Sequence, residues 1–377
     1  MNKIGILTLP PISNYGGILQ NYALQVVLSS RGNECITLER RQKRTFVKDL
    51  MGHFKNYTYN RIRGNYYFKL SNFQKKLVYA EQSRFKEKYI VSSSILYSSS
   101  ELKKYIQSEN INIVIVGSDQ VWRNDYTPFL SDMFFCSITS GDNIKKVAYA
   151  ASFGKDSIDY SGENINAIKM SLQGFDLITV REESGVEICR KDLACQAKHV
   201  LDPTLLLSKD DYIRNLGLID NPLAQAKGVY SYLLDSDVKK DELINFISGF
   251  YNCIDYKVQP KCFEGDVSKN IEDYKSPAIE EWLQGFLDAR FVVTDSFHGT
   301  VFSILFNKQF YAIINKDKGA SRFESLLKMF DLEDRLIDLS FLDMNQLDLN
   351  KEVDYNVVNQ RLELLRTKSK ELLFSIL

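Results

Sequence analysis

The stretch Thr294-Asp295-Ser296-Phe297-His298-Gly299-Thr300 gathers an imidazole, a carboxylate and three hydroxyls within seven residues. The apolar run Phe291-Val292-Val293 before it reads as a buried strand, and Val301 to Phe306 after it reads as a buried helix. A strand-loop-helix junction presents backbone N–H groups at the positive end of a helix dipole, an arrangement suited to an anion. Ser296 and Thr300 add hydroxyls, and Gly299 lets a ligand approach the backbone. His298 is one of three histidines in the chain and a candidate for catalysis. The same residues also fit a capped helix whose histidine bonds a neighbouring carbonyl.

Other polar residues stand at the ends of other apolar runs. Asn112–Val116 leads into Gly117-Ser118-Asp119-Gln120-Val121-Trp122, and Lys146–Ala151 into Ser152-Phe153-Gly154. Asp176–Val180 leads into Arg181-Glu182-Glu183-Ser184-Gly185, and Lys198–Leu201 into Asp202-Pro203-Thr204. Helical patterns separate these runs, so the pattern predicts a parallel sheet with ligand loops at the strand C-termini. That topology puts Asp119, Arg181, Asp202 and the Gly16-Gly17 loop on one rim. Asp119 could instead cap its own turn, and Arg181 could pair with Glu182, Glu183 or Asp202 at the sheet edge.

The elements that carry these loops form two series. The first opens with a strand over Lys3–Thr8, the loop Ser13-Asn14-Tyr15-Gly16-Gly17, a helix from about Ile18 to Ser30 and a strand over Glu34–Leu38. This unit is Rossmann-like but lacks G-x-G-x-x-G, so it does not specify a dinucleotide, and its glycines could serve only a tight turn. The second series begins near Lys227–Leu234 and continues through helix and strand patterns to Gln309–Ile314 and a helix opening at Gly319-Ala320-Ser321-Arg322. The expected organisation is an N-terminal domain over 1–205, a C-terminal domain over 222–345, and an amphipathic helix over 350–377 packing back on the first. Two Rossmann-like halves suggest an α/β fold with a central cleft between them.

At 377 residues the chain has the length of two domains, at roughly 150 residues each. Its formal net charge is zero, but between Arg40 and Ile90 fourteen lysines and arginines face only Asp49, Glu81 and Glu87. That segment, about 40–100, also carries aromatics from Phe46 to Tyr89. Basic residues interleaved with aromatics suit an anionic lipid surface, nucleic acid or a phosphorylated acceptor. No nucleic-acid motif appears, and an insertion with a solvated basic face is the plainer reading. The six cysteines form no Cys-x-x-Cys pair and no histidine has metal-ligand spacing, which argues against a structural metal and for reduced thiols in a cytosol. No apolar run approaches the roughly 20 residues of a membrane span, and the start reads as a first strand rather than a signal peptide. The expected location is cytoplasmic, with peripheral contact at the inner face of the membrane.

Five motifs occur in order: Asn14-Tyr15-Gly16-Gly17-x-x-Gln20, Gly117-Ser118-Asp119-Gln120-x-Trp122, Val180-Arg181-Glu182-x-Ser184-Gly185, Leu201-Asp202-Pro203-Thr204, and Thr294 to Gly299. Together they resemble the polysaccharide pyruvyl transferase family over roughly Lys3 to Phe330. The resemblance implies a glycosyltransferase-B-like fold and transfer of a pyruvyl group from phosphoenolpyruvate to hydroxyls of a sugar or lipid-linked oligosaccharide, giving a pyruvate ketal. No cofactor is expected beyond this co-substrate, and the spacing and motif readings above lead to no metal and no nucleic acid.

One departure concerns the donor. Where the family commonly has Arg-Leu-His-Gly, this chain has Ser296-Phe297-His298-Gly299, so a cation expected near the phosphate is absent. Arg322 could restore it, with Lys316 and Lys318 as runners-up. A donor with a phosphate and a carboxylate calls for guanidinium forks, which Arg181 and Arg322 supply, and for N–H groups, which the helix start at Gly299-Thr300 supplies. His298 is then the expected general acid and Asp119 the expected base for the acceptor. Asn14, Tyr15, Gly16, Gly17, Gln20, Gly117, Ser118, Trp122 and Asp202 are expected to line the cleft on the acceptor side. Two rival classes share the architecture: a nucleotide-sugar glycosyltransferase and a non-catalytic glycan-binding protein.

Overall fold

A computed structural model describes residues 1–10, 12–43, 70–138, 143–221, 226–263, 270–314 and 319–377. Two parallel sheets dominate it. The first runs β2-β1-β3-β4-β5-β6, with β1 Lys3–Leu7, β2 Glu34–Thr37, β3 Ile113–Gly117, β4 Lys145–Ala151, β5 Leu177–Val180 and β6 Lys198–His199. The second runs β11-β10-β9-β7-β8, with β7 Gly228–Tyr232, β8 Ile254–Tyr256, β9 Ala289–Thr294, β10 Gln309–Ile313 and β11 Leu336–Ile337. The interior strands are apolar on both faces, as helices covering a parallel sheet require. The chain thus builds two Rossmann-like domains facing a central cleft, the glycosyltransferase-B-like layout.

Strand order reverses between β1 and β3 in the first sheet and between β7 and β9 in the second. Loops leaving the C-terminal ends of strands at such a point splay apart and leave a crevice. Here the two crevices face each other, so four loops meet: 12–14 after β1, Ser118–Asp119 after β3, 233–237 after β7 and Asp295–Ser296 after β9.

Each sheet has a core on its outer face, one centred on Val114, Val116 and Trp122, the other on Val229, Phe291 and Val293. The inner faces share a third core that passes without a break from the first helix, Tyr15–Ser29, to the helices Ile279–Asp288 and Phe297–Leu305. Tyr15 stacks on Trp282 at 5.2 Å between centroids, and Tyr212, on the helix Lys209–Leu216 between the domains, meets both Tyr22 and Phe302. The C-terminal helix Tyr355–Phe374 lies across the end of the first domain. There Arg366 Nε donates to Leu205 O at 2.8 Å and Ser369 Oγ accepts from Leu201 N.

The basic segment is only partly described, and residues 44–69 lie outside the described residues. Its end forms the helices Asn72–Val78 and Ala80–Tyr89. Phe85 is fully buried against Tyr22, and Gln82 donates to Pro277 O of the second domain. Several of its cations are paired: Arg40 with Asp132, Lys86 and Arg41 with Glu39, and Arg84 with Glu81 and Glu280. This part is therefore packed into the fold through Phe85 and Gln82, while Lys76, Arg84 and Lys88 remain exposed.

Candidate active site

Where the four loops meet there is a cleft of about 360 Å³, within the usual ~300–1,000 Å³ of small-molecule sites. Asn14, Asp119, Ser296, His298 and Arg322 line its floor.

His298 sits in the first turn of the helix Phe297–Leu305, whose N-cap is Ser296: its Oγ accepts from Gly299 N at 3.3 Å. The imidazole crosses to the first domain and lies against Gly16, where a Cβ would overlap its Nδ1. Gly17, one residue on, would bring a Cβ to 3.3 Å from Asp119 Oδ2. The two glycines of the first helix are thus the places where His298 and Asp119 come close to the backbone, an explanation the turn geometry alone did not give.

Beneath the floor lies a buried charge network. Arg181 donates from Nη1 to Asp202 Oδ2 at 2.7 Å and to Ser118 Oγ at 3.4 Å, and from Nη2 to Asp119 Oδ1 at 3.3 Å. Ser118 Oγ donates to the same Asp202 oxygen at 2.9 Å, while Thr204 N and Oγ1 donate to the other. Asp202 Oδ2 also stands 3.7 Å from His298 Nε2, a buried atom with no hydrogen-bond partner among the described residues. Burial opposes the charge of Asp202, but His298, Arg181 and Thr204 outweigh it and hold the carboxyl well below the usual range. Burial likewise opposes the charge of Arg181, and Asp202, Asp119 and Glu182 more than restore it.

Asp119 owes its direction to backbone strain. Ser118 and Asp119 have φ of 20° and 58°, a left-handed pair that turns the chain sharply off the end of β3. Its main-chain oxygen accepts from Val121 N and Ser152 N. The carboxylate is held by Arg181 rather than by its own turn.

Arg322, on the helix Ala320–Lys328, lines the cleft close to Arg181, with Phe297 between them: the Phe297 ring is 4.5 Å from the Arg181 guanidinium and 5.7 Å from that of Arg322. Burial, then the neighbouring charge of Arg181, lowers its pKa to about 10, so it remains a cation at neutral pH. Asp295 ties the floor together from below, accepting from Leu234 N and from Lys240 Nζ, each at 2.7 Å.

Several expected ligand residues are placed differently. Arg181 is 2% exposed and both its Nη atoms are bonded within the protein, so it braces Asp119 and Asp202 instead of presenting a fork to the cleft. Gly299 N and Thr300 N donate to Ser296 Oγ and Ser296 O, so these N–H groups close the helix cap instead of meeting a ligand. Gly299 also packs against Thr294, and Thr300 is fully buried. Trp122 is core, stacked on Phe134 with Nε1 donating to Met133 O. Gln20 braces Thr8 and Gly17 O, Ser118 is fully buried, and Gly117 lies under Leu24. Tyr15 borders the cleft but is chiefly an anchor between domains, its hydroxyl donating to Pro277 O. Lys316 and Lys318 lie outside the described residues. No group of His, Cys, Asp and Glu suited to a metal occurs among the described residues.

Outside the motifs, Tyr79, Phe263 and Tyr274 also line the cleft. Tyr79 lies in the basic, aromatic segment, whose charge pattern does not point to a cleft, and 260–276 has no sequence periodicity to mark it. Nor does a local pattern mark Asp295 as a tie between loops, because its partner Lys240 is 55 residues away.

A family model described as polysaccharide pyruvyl transferase matches residues 14–317. No curated protein gives a significant match. Similar solved structures include a UDP-N-acetylglucosamine 2-epimerase from Rickettsia bellii, 11% identical over 100% of this chain and 96% of that one, TM-score 0.45. Others are a sucrose-phosphate synthase from Thermosynechococcus elongatus, 9% identical over 100% and 98%, TM-score 0.46, and a UDP-GlcNAc 2-epimerase from Methanocaldococcus jannaschii, 10% identical over 98% and 94%, TM-score 0.46.

Proposed function

Because this chain belongs to the polysaccharide pyruvyl transferase family, we propose that it moves a pyruvyl group from phosphoenolpyruvate onto two hydroxyls of one sugar, forming a pyruvate ketal. The observation that carries this reading is the meeting of His298, Asp119 and Arg322 at one cleft floor, from two helix starts and one loop of two domains.

The reaction needs a proton on the methylene carbon of the donor, which leaves a cationic centre at the adjoining carbon. One acceptor hydroxyl adds there and loses its proton. The C–O bond to phosphate then breaks, and the second hydroxyl adds in its place. Two hydroxyl protons are released: one replaces that taken by the methylene, and the other leaves with phosphate. His298 supplies the first proton. Its Nε2 faces Asp202 and its Nδ1 lies against Gly16, so the ring is held from both domains. Asp119 takes the hydroxyl proton from the other side of the floor. Arg322 pairs with the anionic donor, in place of the cation that Ser296 does not provide. Arg181 fixes both carboxylates.

We further propose a lipid-linked acceptor met at an anionic membrane surface, on the ground of the fourteen basic residues between Arg40 and Ile90. No helix among the described residues is long and apolar enough to cross a membrane.

The test is phosphate release from phosphoenolpyruvate in the presence of synthetic and lipid-linked glycosides bearing free diols, with the ketal identified by mass. Release that depends on a glycoside supports the reading. Turnover of nucleotide sugars with no use of phosphoenolpyruvate would assign the cleft to glycosyl transfer. Glycoside binding with no turnover of either donor would make the protein a glycan-binding one.

A further inference from the structure

Two stretches outside the sheets border the cleft. Residues 70–79 come from the first domain, and 260–263 with 270–276 from the second. Leu70, Val78 and Tyr274 form a small core of their own, separate from those of the sheets, with Tyr79, Cys262 and Ile271 packed on it. A main-chain hydrogen bond from Ser276 N to Val78 O, 3.0 Å, joins the domains there, and Cys262 N donates to Asp273 O at 2.8 Å to fold the second segment under the first.

The cleft is therefore two-sided in chemistry. Its floor holds His298, Asp119 and Arg322, while this strap presents Leu70, Val78, Tyr79, Phe263 and Tyr274. Within the strap the aromatics differ in kind. Tyr274 is 2% exposed and supports the packing, whereas Phe263 is 39% exposed and Tyr79 half-buried, both bordering the cleft. A donor with phosphate and carboxylate groups gains nothing from an apolar wall, which would desolvate its charges without pairing them. A pyranose has both kinds of surface: hydroxyls at its rim and a C–H face that rests on aromatic rings.

We propose that the strap is the acceptor wall of the cleft, holding the C–H face of one pyranose ring against Tyr79 and Phe263 while its diol points down to Asp119 and His298. This rests on the pyruvyl-transfer reading and adds a specificity site to it. The site is made by residues from both domains, and none of them lies in the five ordered motifs. The strap thus reads the acceptor's ring, while the floor binds the donor and receives the acceptor's diol.

The test uses the full chain and four probes: the methyl glycosides of galactose, glucose and mannose, and phosphoenolpyruvate. Binding is followed by saturation-transfer NMR and calorimetry. At least one glycoside should bind the wild type with saturation strongest on its ring C–H protons. Tyr79→Ala should weaken that glycoside about tenfold and leave phosphoenolpyruvate affinity unchanged, while Tyr79→Phe should bind it as the wild type does. Phe263→Ala is the second variant should Tyr79→Ala fail to fold. Wild-type glycoside affinity in both alanine variants, equal loss of donor affinity, or no glycoside binding to the wild type would each overturn the proposal. Failure of the pyruvyl reading looks different: the wild type binds a glycoside through Tyr79 and does not bind phosphoenolpyruvate. In that case the wall stands and the donor is another.

Discussion

The imidazole of His298 rests against the α-carbon of Gly16, in space that any other residue would fill with a side chain. The two residues are 282 positions apart and belong to different domains. Gly16→Ala would ordinarily stabilise a helix by about 1 kcal/mol. Here the new methyl should displace the imidazole. The expected outcome is a folded protein with turnover lowered by roughly 10²-fold, given how steeply catalysis falls with misplacement of reacting groups. Circular dichroism beside a phosphate-release assay checks it, and wild-type turnover would show that the contact does not position His298.

His298→Ala should lower kcat by roughly 10²–10⁴ with little change in the KM for phosphoenolpyruvate, because proton delivery matters only in the transition state. Arg322→Ala should do the reverse and raise that KM, since a charge-assisted fork acts already in the ground state, at about 1.5–3 kcal/mol. Steady-state kinetics of the two variants separates the roles.

Ser296→Arg would restore the side chain common in the family, but at a cost the sequence did not show. Ser296 Oγ caps the His298 helix, and losing such a cap costs about 1 kcal/mol. We expect a lower melting temperature in this variant, and tighter donor binding only if the new guanidinium reaches the floor. Thermal denaturation and donor titration read the two effects independently.

Asp202 sets a pH dependence of stability. Its folded-state pKa is depressed by His298, Arg181 and Thr204 against the pull of burial. Its contribution is therefore full above the unfolded-state value of about 3.9 and is lost as pH falls below it. Melting temperature should be insensitive to this group from pH 7 to about 5 and fall steeply under pH 4. Asp202→Asn should flatten that fall while lowering stability at neutral pH by about 3–5 kcal/mol, because Arg181 would keep a buried charge short of one partner. Melting curves of both proteins between pH 3 and 7 test this.

The proposed membrane contact predicts sedimentation with anionic vesicles and release as salt rises. With Arg40, Arg41, Arg84 and Lys86 already engaged in ion pairs, binding should depend on the other ten basic residues between Arg40 and Ile90, and their neutralisation should abolish it. Equal binding to neutral vesicles would remove the idea.

How much of this was legible in the sequence depends on range. The strands and their polar ends could be read because apolar runs and glycines are local signals, and parallel topology then gathers strand ends on one side. Which residues reach the cleft could not be read this way. Arg181 and Trp122 stand in motifs that look alike on paper, yet one is bonded to two carboxylates from other strands and the other to a carbonyl eleven residues on. The glycines at 16 and 17 have no meaning in isolation, because the groups that need their room, His298 and Asp119, arrive from elsewhere. The strap was invisible for the same reason: half of it carries a charge pattern and half carries no pattern at all.

The unbroken apolar core between the two sheets has a consequence for how this protein can change over time. Domains joined by a wet hinge can be exchanged between relatives like modules, each bringing its own ligand. Here Tyr15, which opens the first helix, is stacked on Trp282 of the other half, and Tyr212 bridges Tyr22 to Phe302. A chimera cut between 205 and 226 would have to match both sides of that aromatic seam before it could fold. The halves are thus bound to vary together, and new acceptors are more readily reached through the strap than through a new domain.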